Sequence, residues 1–314
     1  MENQQRIAGI IHSMEKIIVG KREVIEYALI TLLAGGHLLL EDVPGVGKTT
    51  LAKNLALTIG CGFTRIQFTP DTLPSDVTGL SIYNMQSGKF EYLKGAIMNH
   101  IILADEINRT SPKTQASLLE AMEEKQVTVD GITYALSKPF MVIATQNPID
   151  YLGTYNLPEA QLDRFMMKLS IGYPDAGEEK MMAERFLSHQ LAQTLEAVTD
   201  GDTILQMQKE VEEVKVHQDL VSYVTKIVQE TRKDSNISLG ASPRATLALL
   251  RAAQAHAYLI ARNYCIPDDI IKLIGPVLAH RIILSPEARL SQTKVEKLLK
   301  TITAKVHIPV LTSV

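Results

Sequence analysis

Apolar positions in the first half of the chain fall into short continuous runs, separated by segments with helical spacing. Residues 37–41, 101–105 and 140–145 are apolar almost throughout. Runs of this length are typical of strands that helices cover on both faces. Between them, residues 49–59 and 113–124 repeat apolar side chains every three or four positions. This alternation predicts a parallel α/β sheet.

Two pairs of shorter, alternating segments interrupt this pattern. One pair flanks Ser87-Gly88 and the other flanks Asp130-Gly131. Asp-Gly between alternating runs is a strong hairpin signal because both residues tolerate positive φ. We therefore expect β-hairpin insertions in the α/β core, at about residues 80–93 and 126–136.

The pattern changes after residue 177, where helical periodicity dominates. The clearest helical segments are residues 211–231, 243–262 and 267–280. A chain of 314 residues is long enough for two domains. We predict an α/β core over residues 1–177 and a mostly α-helical domain over residues 178–314.

Composition and charge narrow the class of protein. The chain is 46% apolar and 21% charged, which excludes a disordered or low-complexity chain. Its formal net charge is −3 and no basic block stands out, which argues against a dedicated nucleic-acid binder. Cys61 and Cys265 lack metal-ligand spacing, and His37 on a predicted strand is expected to be a packed core residue. We see no secretory signal and no apolar stretch of the about 18–20 residues that a spanning helix needs, so we expect a soluble, cytoplasmic protein.

The strongest chemical signal is the segment Asp-Val-Pro-Gly-Val-Gly-Lys-Thr-Thr at residues 42–50, between a predicted strand and a predicted helix. Gly45 and Gly47 allow backbone N–H groups to turn towards phosphate oxygens. Lys48 can reach the β- and γ-phosphates, and the Thr49 hydroxyl can bind Mg²⁺. The first glycine of the full P-loop pattern is Asp42 here. The pattern therefore does not predict the conformation of the turn that leads into the loop, whereas the Gly-Lys-Thr segment is intact. The alternative is an accidental Gly-Lys-Thr turn.

Two other predicted strands end in polar residues. Asp105 can hold the Mg²⁺ coordination shell, and Glu106 can polarise an attacking water. Without the P-loop, these carboxylates would be read as a solvated strand end. Asn147, in Ala-Thr-Gln-Asn-Pro, can bind the γ-phosphate or position the water, and its alternative is a turn-forming Asn-Pro. Together these residues predict Mg²⁺-dependent nucleotide hydrolysis.

These motifs resemble a known family when they are read with Leu-Pro-Glu-Ala-Gln-Leu-Asp-Arg-Phe at 157–165 and Gly-Ala-Ser-Pro-Arg at 240–244. The set is similar to the Walker A, Walker B, sensor 1, arginine-finger and sensor 2 motifs of AAA+ ATPases. Glu-Ile-Asn-Arg at 106–109 and Ala-Thr-Gln-Asn-Pro look like the MoxR subfamily in particular, over essentially the whole chain. The resemblance implies a P-loop NTPase core followed by an α-helical lid. Its two hairpins would match the helix-2 insert and the pre-sensor-1 insertion, which usually point towards a central pore or axial face.

The resemblance also assigns roles to residues that spacing alone does not explain. Arg164 would be the finger that a neighbouring subunit receives, and its alternative is a surface ion pair with Asp163. Arg244 would reach the γ-phosphate from the lid, unless it is a surface arginine near a helix N-terminus. Arg109 is a further interface or phosphate-sensing candidate. The expected catalytic residues are Lys48, Asp105, Glu106, Asn147 and Arg164, and the expected metal ligands are Thr49 and Asp105. The expected nucleotide-binding residues are Val19, Gly20, Gly45, Val46, Gly47, Lys48, Thr49, Thr50 and Arg244. For Val19 and Gly20, the alternative is a loop between helices that does not contact nucleotide.

The function implied by the resemblance is an ATPase that uses ATP and Mg²⁺. It would assemble as a ring, a hexamer, and remodel or activate client proteins, often with a partner that carries a von Willebrand factor A domain. One alternative is a nucleotide-dependent switch or scaffold with incidental hydrolysis. The other is a nucleic-acid motor, against which the acidic balance and Asp130 at a hairpin tip argue.

Overall fold

The computed structural model describes residues 2–147, 154–188 and 195–310. The chain divides into two compact units. The first comprises residues 1–28, 37–157 and 169–205, and the second comprises residues 29–36, 158–168 and 206–314.

The strands are β1 (Leu38–Glu41), β2 (Phe63–Gln67), β3 (Gly79–Asn84), β4 (Lys89–Lys94), β5 (Ile101–Asp105), β6 (Gln126–Val129), β7 (Ile132–Ala135), β8 (Met141–Gln146), β9 (Met167–Leu169), β10 (Ile237–Leu239) and β11 (Ile283–Leu284). The helices are α1 (Glu2–Glu15), α2 (Arg22–Leu33), α3 (Lys48–Thr58), α4 (Pro74–Thr78), α5 (Pro112–Glu124), α6 (Glu159–Leu162), α7 (Ala176–Leu187), α8 (Gly201–Glu212), α9 (Gln218–Thr231), α10 (Pro243–Leu259), α11 (Pro267–Leu278), α12 (Pro286–Leu290) and α13 (Val295–Lys305). Within the described residues, no helix has the length and apolar character needed to cross a membrane.

A five-stranded sheet with the order β2-β5-β8-β1-β9 forms the centre of the α/β fold. β2, β5, β8 and β1 pair in parallel, so their carboxyl ends meet at one edge. Gln67 lies beside Asp105 in the register of β2 and β5, and Glu41 lies beside Gln146 in that of β1 and β8. Ligands of open parallel sheets bind at this edge. The register therefore brings polar residues from four separate segments to one place.

The three apolar runs form the buried strands that the sequence predicted. All residues of β5 from Ile101 to Ala104 are fully buried, because helices such as α3 pack on the sheet. The sequence pattern did not indicate β2, and the reason is its place in the sheet. Thr64, Arg65 and Gln67 leave β2 without a continuous apolar run, since an edge strand has one side exposed to solvent.

Both predicted hairpins are confirmed. β3 pairs antiparallel with β4, and β6 pairs antiparallel with β7. Asp130 and Gly131 both have positive φ, 49° and 77°, as the Asp-Gly signal requires. The Tyr92 ring stacks on Tyr134 with centroids 4.1 Å apart, so the two hairpins contact each other.

His37 at the start of β1 is a packed core residue, as expected. Its Nδ1 accepts the Val142 backbone N–H at 3.0 Å, so its Nε2 carries the proton and donates to the Met122 carbonyl at 3.2 Å. Burial lowers the pKa of His37 to about 4, more than the hydrogen bond to Met122 raises it. The ring is therefore neutral and holds α5 and β8 together at neutral pH.

In the second unit, α9, α10, α11 and α13 pack against one another around a shared apolar core. A single helix predicted over residues 211–231 was wrong, since α8 ends at Glu212 and α9 begins at Gln218. The Lys215 N–H donates to the Asn263 carbonyl and the Lys215 carbonyl accepts from the Cys265 N–H. These long-range hydrogen bonds replace the helical ones, and helical periodicity does not encode them.

Candidate active site

The loop between β1 and α3 has the conformation expected of a phosphate-binding loop. Gly45 and Gly47 have φ of 87° and 94°, and a Cβ at either position would have no neighbour within 4 Å among the described residues. Backbone conformation rather than crowding therefore requires glycine at both positions. Gly47 caps α3 without a side-chain hydrogen bond, which leaves the first N–H groups of this helix available for an anion.

Lys48 is held inside the same loop. Its Nζ donates to the carbonyls of Asp42 and Val43, at 2.7 and 3.2 Å. The positive charge is thus positioned by the loop backbone next to the N-terminus of α3. Both features favour a phosphate group at this position.

Asp42 stands where the P-loop pattern has its first glycine, and the structure accounts for it. Asp42 is not among the described residues with positive φ, so its position does not require glycine. Its carboxylate accepts hydrogen bonds from the Val43 N–H, the Ser170 hydroxyl and the Gly172 N–H, at 2.7–2.9 Å. Burial alone would raise the pKa of Asp42, but these bonds outweigh it and hold the pKa below its usual range. Asp42 therefore ties the start of the loop to the segment that follows β9.

Asp105 at the end of β5 is buried and receives hydrogen bonds at both carboxylate oxygens. The Thr145 hydroxyl donates to Oδ1 at 2.6 Å. Arg65 on β2 donates to Oδ2 through Nε at 3.0 Å and Nη2 at 2.6 Å. The Thr145 oxygen also accepts the Glu106 backbone N–H at 2.8 Å, so one hydroxyl orients both acidic residues.

Glu106 has a left-handed backbone, with φ 57° and ψ 49°. Such a conformation costs about 1–3 kcal/mol for a residue other than glycine and is concentrated at functional sites. It places the carboxylate, about a quarter exposed, within reach of Gln67 Nε2 at 2.9 Å and Arg109 Nη1 at 3.0 Å. Arg109, whose role the sequence left open, is thus an ion-pair partner of Glu106.

Residues of the P-loop and of the sheet edge surround one cavity of about 370 Å³. The P-loop contributes Pro44, Gly45, Gly47, Lys48, Thr49 and Thr50, and the sheet edge contributes Arg65, Gln67, Asp105, Glu106 and Asn147. Val46 belongs to the same loop without lining this cavity. The structure thus brings together predicted residues from three separate segments of the chain.

The oxygen donors in this cavity fit Mg²⁺. Thr49 and Asp105 both line it, and hydroxyl and carboxylate oxygens are the ligands that Mg²⁺ prefers. Within the described part of the chain, no group of three or more His, Cys, Asp or Glu residues could hold a metal by itself. A site with one or two protein oxygens suits a Mg²⁺ ion that also binds phosphates and water.

Val19 and Gly20 lie between α1 and α2 and do not line the cavity. Gly20 has φ of 72°, and a Cβ there would overlap the Glu178 carboxylate. Lys21 pairs with Glu178 at 3.2 Å and donates to the Tyr173 carbonyl at 3.0 Å. The segment is therefore held against the start of α7, and its adenine contact stays a prediction.

Arg164 and Arg244 lie in the second unit, beside an ion pair that the sequence did not indicate. Arg281 Nε binds Asp163 Oδ1 at 2.6 Å, and the Ser242 hydroxyl donates to Asp163 Oδ2 at 2.8 Å. Ser242 also caps α10, of which Arg244 is the second residue. Asp163 thus pairs with Arg281, while the roles of Arg164 and Arg244 towards nucleotide stay predictions.

Sequence reasoning missed Arg65, Gln67 and Thr145 as site residues. Thr145 stood inside the Ala-Thr-Gln-Asn-Pro motif, so its position next to Asn147 was a usable signal. Arg65 and Gln67 belong to the edge strand β2, and only the pairing with β5 places them beside Asp105. No local pattern could have identified them.

Two family models match the chain. The family model described as ATPase family associated with various cellular activities (AAA) matches residues 37–167, and the AAA lid domain model matches residues 229–302. The chain is 39% identical to Chaperone MoxR1 of Mycobacterium tuberculosis, over 98% of this chain and 85% of that protein. The chain belongs to the MoxR family of AAA+ ATPases. The chain is also similar to the uncharacterized protein YeaC of Bacillus subtilis, at 52% identity over 96% of this chain and 94% of that protein.

A solved structure shares the architecture of this MoxR-family protein. It is a protein assigned as an ATPase from Cytophaga hutchinsonii, 40% identical, with a TM-score of 0.91 over 98% of this chain and 96% of that chain. The Protein MoxR of Methylorubrum extorquens is 28% identical over 86% of this chain and 85% of that protein. The chain therefore shares the AAA+ core and the helical lid of this family, as the sequence predicted.

Proposed function

We propose that this protein hydrolyses ATP in a Mg²⁺-dependent reaction, assembled as a hexameric ring, and uses the energy to remodel or activate client proteins. The observation that carries the proposal is the single cavity in which the P-loop, Asp105, Glu106 and Asn147 meet. Membership of the MoxR family supports it.

The P-loop supplies the phosphate-binding groups. The N–H groups at the start of α3 and the Lys48 ammonium bind the β- and γ-phosphates. Thr49 and Asp105 would hold Mg²⁺, which neutralises phosphate charge when it is bound. The Thr145 hydroxyl keeps the Asp105 carboxylate in place for this task.

Glu106 is the proposed general base. Its carboxylate is held at the cavity by Gln67 and Arg109, where it can accept a proton from the attacking water. Asn147 binds the γ-phosphate or positions that water. Arg164 from a neighbouring subunit stabilises the charge that develops on the transferred phosphoryl group, and Arg244 couples the lid to the nucleotide.

The first hairpin, β3–β4, supports a role in binding client protein. Tyr83, Met85 and Phe90 are exposed at 55%, 91% and 73%. Exposed apolar side chains that are close together mark protein interaction surfaces. One relative is itself named a chaperone. By family resemblance, a protein with a von Willebrand factor A domain is the proposed partner.

The test is Glu106→Gln, which keeps the shape of the side chain but removes the base. We expect hydrolysis to slow by about 10²–10⁴-fold, the usual contribution of a positioned base, while ATP affinity stays within about threefold. Glu120→Gln, at an exposed position on α5, is the matched control and should hydrolyse ATP at the wild-type rate. The measurements are steady-state phosphate release and equilibrium ATP binding.

Normal turnover by Glu106→Gln would refute the role of Glu106. Slow hydrolysis by the wild type that neither assembly nor a partner changes would instead favour a nucleotide-dependent switch. Stimulation by DNA would favour a nucleic-acid motor.

A further inference from the structure

Arg65 binds the Asp105 carboxylate, which the proposed function assigns to Mg²⁺. Two of its nitrogens, Nε and Nη2, donate to the same oxygen of Asp105. The Asp105 side chain is only 10% exposed, whereas that of Arg65 is 48% exposed. Both residues line the cavity. The guanidinium group therefore approaches a buried anion from the side on which nucleotide would bind.

The need for this contact follows from the burial of Asp105. A buried carboxylate without a positive partner is strongly unfavourable, and the Thr145 hydroxyl supplies a hydrogen bond but no charge. Arg65 supplies the charge. A guanidinium group and a metal dication cannot both lie against one carboxylate oxygen without like-charge repulsion.

Arg65 also has another partner close by. Its Nη2 donates to Gln67 Oε1 at 2.6 Å, and Gln67 Nε2 in turn donates to Glu106. Because the Arg65 side chain is half exposed and long, it can leave Asp105 without any movement of β2. One chain of hydrogen bonds thus links the carboxylate proposed to bind Mg²⁺ to the proposed general base.

We propose that Arg65 is a positioning residue that serves as the counter-ion of Asp105 in the absence of metal and is displaced when a Mg²⁺-nucleotide complex binds. It thereby sets how strongly nucleotide affinity depends on Mg²⁺. The inference rests on the proposed role of Asp105. Removing the charge of Arg65 has two opposite effects on nucleotide affinity. The Mg²⁺-nucleotide complex binds more tightly because it no longer has to displace an ion pair. Metal-free nucleotide binds more weakly because the Asp105 carboxylate, without its counter-ion, repels the phosphates.

The experiment measures the Kd of an ADP analogue with a methylanthraniloyl fluorophore, once in excess MgCl₂ and once in EDTA. For Arg65→Gln we expect tighter binding with Mg²⁺ and weaker binding in EDTA, so that the ratio of the two Kd values rises by about tenfold over wild type. Such a change corresponds to about a few-fold in each Kd, the scale of a partly exposed ion pair. Arg65→Lys keeps the charge but loses the two-nitrogen contact, and it should lie in between.

Two controls separate this role from a general change in charge. Arg22→Gln removes an exposed arginine that pairs with Glu15 and Glu26 elsewhere, and it should leave the ratio unchanged. In an Asp105→Asn background, Arg65→Gln should no longer change the ratio, because the two residues act through one contact. Circular dichroism of each variant verifies folding.

Equal weakening of both Kd values by Arg65→Gln would show that Arg65 binds phosphate directly and would overturn the inference. An unchanged ratio would overturn it as well. If wild-type affinity does not depend on Mg²⁺ at all, the proposed metal role of Asp105 fails, and the role of Arg65 fails with it. A wild type that responds to Mg²⁺ while Arg65→Gln behaves identically refutes the inference alone.

Discussion

The Thr145 hydroxyl joins the two acidic residues of the site, which makes Thr145→Val an informative perturbation. Valine keeps the β-branched shape but removes the oxygen. The part-buried Glu106 N–H then loses its acceptor at 2.8 Å, and Asp105 Oδ1 loses its donor at 2.6 Å. Thr145 is 1% exposed, so water has little access to replace the lost bonds.

The magnitude follows from these two contacts. A buried backbone group left without a partner costs about 1–3 kcal/mol, and a hydrogen bond to a charged group contributes about 1.5–3 kcal/mol. Asp105 keeps its contacts with Arg65. Because Arg65 still compensates Asp105, we expect the two costs together to lie near the lower end of their summed range, and the free energy of unfolding to fall by about 3 kcal/mol. The left-handed backbone of Glu106 also loses the bond that holds it, so ATP hydrolysis should fall by about tenfold or more.

Urea unfolding followed by circular dichroism measures the stability, and phosphate release measures the activity. Thr145→Ser is the matched control because it keeps the hydroxyl and loses only a methyl group, at a cost of about 1 kcal/mol. Its activity should stay within a few-fold of wild type. If valine and serine variants proved equal in stability and in rate, the bridging role of the hydroxyl would be refuted.

Two further predictions concern assembly and pH. Arg164→Ala should bind ATP about as well as wild type but hydrolyse it about 10³-fold more slowly, and mixing it with Glu106→Gln subunits should restore part of the activity. Mixtures as inactive as their components would rule out a finger supplied in trans. The pKa of His37, lowered by burial to about 4, lies below its ordinary value of 6.5, so its contribution to stability is complete above pH 6.5 and is lost as pH falls to 4. The free energy of unfolding should therefore fall by about 3 kcal/mol through His37 between pH 6.5 and pH 4. His37→Gln lacks this titrating group, so denaturant unfolding at the two pH values should show a smaller fall for the variant than for wild type. An equal fall in both proteins would contradict this account.

Local patterns were sufficient for a large part of the fold. The three buried strands appeared as continuous apolar runs because helices cover both of their faces. The second hairpin appeared through Asp130-Gly131, because its turn demands positive φ at both residues. The P-loop glycines appeared for the same kind of reason, since their backbone conformation is a local property.

Long-range contacts were beyond such patterns. The break between α8 and α9 coincides with backbone hydrogen bonds between Lys215 and residues far along the chain. The function of Asp42 depends on Ser170 and Gly172, which lie more than 120 positions away. Sequence spacing gives no measure of these contacts, because they form only when the sheet brings distant segments together.

The sequence by itself determined the kinds of chemistry available to this protein, through Lys48, Thr49, Asp105, Glu106 and Asn147. Each belongs to a short motif whose backbone and residue types have a local physical reason. Only the tertiary structure decided which groups surround them. The parallel register of β2, β5 and β8 places Arg65 and Gln67 from an unremarkable edge strand against the two acidic residues, and it makes Thr145 their shared partner. Strand pairing joins residues that are distant in sequence, and for this reason the electrostatics of the site could not be read from the motifs alone.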